Sequence, residues 1–125
     1  MEGVTQYIPK ESTADTLQKI KTLVASGSTL LITYVDQNVF DDPSRVADNT
    51  KACSMILKQS ARVGEPWITG WTQEGFADFL KECGYQVVSD TTCKDYNDKY
   101  LAPLGRKLDE KDIINLERLV VAKLL

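Results

Sequence analysis

Histidine is absent from this 125-residue chain. That removes the usual general base, the usual triad member and the commonest metal ligand, so Ser-His-Asp and Cys-His catalysis are excluded. Cysteine is sparse: Cys53, Cys83 and Cys93 make an odd number without paired metal spacing, which points to structural thiols in a reducing compartment and to no metal site. No apolar run approaches the roughly 18 residues of a membrane span. The start also lacks the charged, apolar and small-residue regions of a signal peptide, so a cytoplasmic location is expected. A basic cluster is missing too. With a net charge of -3 and a pI near 4.9, nucleic acid and anionic membrane surfaces are not expected partners.

What is present is the balance of a globular domain, 42% hydrophobic and 26% charged, without repeats or low-complexity stretches. The chain reads as one domain over residues 1–125. Met1 to Ile8 reads as the carboxyl end of a strand. Pro9 suits a first helical position, and Ala14, Leu17, Ile20 and Val24 share a face, which predicts a helix over 9–25 closed by Ser26-Gly27. Thr29 to Val35 is apolar and β-rich, a strand covered on both faces. Asp41-Asp-Pro-Ser44 opens a second helix, with Val46, Cys53, Ile56 and Leu57 on one face, running to about Val63. Thr72 caps a third, carrying Phe76, Phe79, Leu80 and Cys83 on its buried side. Tyr85 to Ser89 and Glu117 to Leu125 read as strands, separated by irregular or briefly helical residues and a polar connector over 105–112. The carboxylates Asp41, Asp42 and those of the run Asp109 to Asp112 read as solvated loop and cap residues.

Four segments, in this order and spacing, carry a resemblance. They are Glu2-Gly3-Val4-Thr5-Gln6-Tyr7-Ile8-Pro9, Gly70-Trp71-Thr72 leading into Phe76 to Gly84, Lys99-Tyr100-Leu101, and Glu117-Arg118-Leu119-Val120-Val121-Ala122-Lys123. Over nearly its whole length the chain resembles the carboxyl-terminal half of a class I S-adenosylmethionine-dependent methyltransferase, of the leucine carboxyl methyltransferase-like and polyketide-type O-methyltransferase family. The resemblance implies an α/β fold, a partial Rossmann-like sheet of about four strands with helices mainly on one face. In it the first strand lies beside Leu30 to Val35, the last strand slots in antiparallel beside that, and Tyr85 to Ser89 is outermost.

Class I methyltransferases hold their cofactor on a glycine-rich turn after the first strand and on an acidic residue ending the second. This chain has no such turn between strand and helix. In the resemblance that half precedes Met1, which leaves Glu2 and Gly3 as a remnant of the cofactor side and Tyr7, Asp36 and Trp71 as substrate-side candidates. Trp67 and Trp71 follow the lid segment of the family, where an aromatic either stacks on a planar substrate or packs the core. No residue is assigned a catalytic role, and no cofactor is expected to bind the isolated chain, although S-adenosylmethionine serves the family.

The expectation is therefore a truncated, methyltransferase-like domain without independent activity. Two alternatives stand beside it: a piece completed by a separate amino-terminal chain, and a small-molecule-binding or oligomer-forming module. Right-handed crossovers put the helices that start at Pro9 and Thr72 on one face of the sheet. The other face is then bare unless the helix ending near Val63 folds back over it, and burial of that face predicts a homodimer.

Overall fold

The apolar, β-branched run Thr29–Val35 forms β1, Tyr85–Thr91 forms β2 and Glu117–Leu124 forms β3 in the computed structural model, which describes residues 1–47, 50–109, 113 and 115–125. The strand order is β1-β3-β2, with β3 antiparallel to both neighbours. Leu30 lies opposite Ala122, Ile32 opposite Val120 and Tyr34 opposite Arg118. Because side chains alternate along a strand, these even positions share one face, and Leu31, Thr33 and Val35 share the other. On β2 the register shifts between Val87 and Ser89, a bulge that inserts Val88 as an extra residue.

Five α-helices accompany the sheet among the described residues: α1 (Lys10–Lys21), α2 (Asn38–Asp41), α3 (Thr50–Arg62), α4 (Gln73–Glu82) and α5 (Cys93–Tyr96). Helices α1 and α4 cover the even face. Leu17, Phe76 and Leu80 meet Ile32, Tyr34, Tyr85 and Val120 there in one core, in which the Tyr34 and Phe76 rings stack with centroids 4.1 Å apart. Full burial of each such side chain contributes about 1.5–3 kcal/mol. The odd face is served by a smaller cluster, Val35, Val39, Val46, Cys53 and Leu116, with Ile56, Leu57 and Trp67 packed against it. Helices α2 and α3 thus occupy the second face at the end of β1, while farther along the strands Leu31 and Val88 are 55% and 60% exposed.

Several expectations need correction. The sheet has three strands among the described residues, not about four: Met1 to Ile8 is not a strand, and Thr5–Tyr7 turns in a 3-10 helix. Only Met1 adopts the strand position, its N donating to Leu31 O at 2.6 Å and its O accepting from Thr33 N at 3.0 Å, the pattern of a parallel bridge beside Ile32. Thr5 then diverts the chain, because its hydroxyl donates to Thr33 O at 2.9 Å and takes the next acceptor on the edge. The second predicted helix is shorter than expected: Asp41-Asp-Pro-Ser44 opens a 3-10 turn over Pro43–Arg45, the α-helix that follows is α3, and the short α2 ahead of them was not predicted. Helix α1 starts at Lys10 and stops at Lys21, short of 25; the Thr22 hydroxyl bonds back to Lys19 O at 2.8 Å and Leu23 points into solvent. Helices lie on both faces rather than mainly on one. The predicted connector over 105–112 falls partly outside the described residues.

Candidate functional site

Strands β1 and β2 run in the same direction, so their carboxyl ends and the start of β3 meet at one edge of the sheet. Open α/β sheets bind ligands at such an edge. Asp36 follows β1 directly. Its Oδ1 accepts from Asn38 N and from Asn38 Nδ2, both at 2.9 Å, and this turn launches α2. Trp71 crosses the same point: its N donates to Val35 O at 3.0 Å and its O accepts from Gln37 N at 2.9 Å, a parallel bridge to Asp36. The preceding Gly70 makes that approach possible, since a Cβ there would stand 2.8 Å from Phe40 Cε2 and 2.9 Å from Gln37 Cα.

A partly buried polar network spans all three strands at this edge. Asp90 on β2 accepts from the Tyr34 hydroxyl of β1 and from Arg118 Nε of β3, each at 2.8 Å. Burial, and next the Asp90 hydrogen bond, push the Tyr34 hydroxyl far above the ordinary tyrosine range, so it stays a proton donor. Burial opposes the charge of Arg118, but the Tyr34 oxygen, Asp90 and Asp36 outweigh it and keep the guanidinium protonated. On the opposite face Thr33 Oγ1 donates to Glu117 Oε1 at 2.5 Å and accepts from Gly3 N at 2.9 Å, tying the amino-terminal segment to β1 and β3. A capping box at Thr92 and Asp95 starts α5, and the Thr92 N–H holds the Asp95 carboxyl below its usual range.

The sequence-derived candidates fall into two groups. Gly3, at φ +63, and Tyr7 line one groove of about 500 Å³ with Glu65, Pro66 and Ile68, while Glu2 is exposed beside it. Tyr7 meets Trp67 edge-on at 6.4 Å between ring centroids. Asp36 and Trp71 are joined by their backbone bridge. The Trp71 indole is only 5% exposed, packed on Phe76 and Phe79 with Lys10 Nζ 4.1 Å from the ring centroid, so its ring serves the core. Asp90 and Arg118 were not among the candidates. The available signal was phase, since Arg118 alternates with the buried Val120, Ala122 and Leu124, and a charge in that register calls for a buried partner.

No family model and no curated protein matches the chain in sequence. Its structure is similar to that of magnesium protoporphyrin IX methyltransferase (ChlM) from Synechocystis PCC 6803 with bound SAH, at a TM-score of 0.50 and 9% identity. The chain has a methyltransferase-like fold. The similarity covers 99% of this chain and 42% of that chain, so these residues span about two fifths of the length of the protein they match. No helix among the described residues of this methyltransferase-like domain is long and apolar enough to cross a membrane.

Proposed function

We propose that these residues form the acceptor-side portion of an S-adenosylmethionine-dependent methyltransferase of the leucine carboxyl or polyketide type, and that alone they are catalytically silent. The observation that carries this reading is the match of almost the whole chain to part of a methyltransferase. The strand-to-helix passages support it. Strand β1 runs into Asp36-Gln37-Asn38, and no glycine-rich turn cradles a nucleotide there. Methyl transfer depends chiefly on aligning sulfonium and nucleophile, so without a donor site the acceptor groups Tyr7 and Asp36 have no reaction to assist. A separate chain bearing the glycine-rich half would complete the domain beside β1. Calorimetry with S-adenosylmethionine at millimolar concentration tests the proposal. No saturable heat is expected from the chain alone, and a micromolar dissociation constant would refute it.

A second reading, an oligomer-forming module, draws support from the exposed Leu31 and Val88 on the half-open face. Two copies meeting there about a two-fold axis would cover both residues. Light scattering on a sizing column decides: a mass near 14.0 kDa that persists at high protein concentration ends this reading.

A further inference from the structure

A second concavity lies at the same edge of the sheet, between the turn after α2, the turns after β2 and the residues that lead into β3. It measures about 350 Å³, within the range of small-molecule sites. The lining is divided chemically. Val46 and Ile113, both buried, supply an apolar wall, and Lys94 and Lys107 supply two ammonium groups.

Asn115 is the built element of the site. It is 8% exposed, its N donates to Val46 O at 2.9 Å, and its Oδ1 accepts from Lys94 N at 3.2 Å. Held at both points, its side chain is fixed at the wall of the cavity it lines. Asn97 acts differently. Its Nδ2 donates to Leu108 O at 3.0 Å and its Oδ1 accepts from Leu108 N at 2.7 Å, a two-point clamp that holds the neighbouring Lys107 at the cavity. Asn97 also opens a turn of π-helix over Asn97–Leu101, a geometry frequent at functional sites. Among the described lining residues the one carboxylate, Asp98, faces two lysines and an amide donor.

We propose that this cavity binds an oxyanion carried on a small apolar body, either a carboxylate or a phosphate monoester. A cation would meet two ammonium groups. A neutral ligand would leave them without a counter-charge, and a bare inorganic anion would leave Val46 and Ile113 without a contact. Charge-assisted hydrogen bonds from Lys94, Lys107 and Asn115 Nδ2 would hold the head group. The inference does not depend on the methyltransferase reading, since it concerns a binding equilibrium that needs no methyl donor.

Calorimetry and amide-shift titrations of the intact chain with hexanoate, hexyl phosphate, inorganic phosphate and hexanol test it. Saturable binding of hexanoate or hexyl phosphate is expected, and the better of the two identifies the head group. The amides of Lys94, Asn97 and Asn115 should shift. Lys94→Gln and Lys107→Gln, both at exposed positions, should each weaken binding about 10-fold, with the wild-type affinity falling as salt rises. Asn115→Asp keeps the acceptor used by Lys94 N but replaces the donor with a second anion, and should abolish binding while the thermal midpoint stays close to wild type. The proposal is overturned by any of three results: neither hexyl anion binds, hexanol or inorganic phosphate binds as tightly as they do, or the double lysine variant binds like wild type.

Discussion

On one face of the sheet Leu17, Ile32, Tyr34, Phe76 and Leu80 are wholly buried, whereas one position along β1 on the other face Leu31 is more than half exposed. The two faces share three strands and differ in what the chain lays over them. Helices α1 and α4 run the length of the first face and bury an aromatic core against it, while α2 and α3 reach only the end of the second, at Val35 and Leu116. That end is also where Asp36, Trp71 and the Tyr34–Asp90–Arg118 network sit. The contrast teaches that this chain spends its second layer on positioning an edge rather than on closing a core.

The comparison breaks most visibly at Phe76. Phe76→Ala should cost about 3–5 kcal/mol in urea unfolding, because it empties the centre of the covered face, whereas Leu57→Ala on the half-buried inner side of α3 should cost less than half as much. Equal losses would mean that the faces are equally built. Gly70→Ala tests the second face where it is tightest. The new methyl would press on Phe40 and the Gln37 backbone, and a loss of about 1–3 kcal/mol is expected, with the Asp36–Trp71 bridge loosened first in hydrogen exchange.

The polar network lends itself to titration. Tyr34→Phe removes one donor to Asp90 and should cost about 1–2 kcal/mol at neutral pH. The folded-state pKa of Tyr34 lies above the ordinary value of 10.0, so its stabilisation is fully present below that pH and is lost as pH rises through it toward the folded value. Wild type should therefore lose stability above pH 10 faster than Tyr34→Phe does, which parallel thermal melts would show. The smallest effect belongs to the open face: Val88→Thr should change stability by no more than about 0.5 kcal/mol, and a larger loss in unfolding experiments would mean that this face is covered after all.

Much of this was legible in local sequence. The cap is the clearest case: Gly75 N donates to Thr72 Oγ1 at 3.0 Å, and Phe76 and Leu80 face inward as their spacing required. Strand β1 and the antiparallel placement of β3 beside it also follow the reading of the residues and of the resemblance. The failures share a cause. Met1 to Ile8 has strand-like composition, but Thr5 bonds the β1 edge with its side chain instead of continuing the ladder, and no local pattern announces a partner 28 residues away. Val46 to Val63 has helical phase throughout, yet Pro43–Arg45 takes a 3-10 turn and the α-helix described there spans Thr50–Arg62. At the candidate site Asp36 was readable because it ends a strand. Asp90 and Arg118 meet only through pairing set by a bulge, and Asn115 gains its role from a turn that brings Lys94 to it.

Hydrogen exchange followed by mass spectrometry, with and without millimolar S-adenosylmethionine, tests most directly that one face is a closed core and the other half open, together with the proposal that the chain alone holds no methyl donor. Leu30 to Val35 and its β3 partners should exchange last, α3 should exchange well before them, and the methyl donor should slow no amide near Gly3, Tyr7 or Asp36. Helix α3 outlasting β1, or donor-induced protection at those three residues, would contradict this.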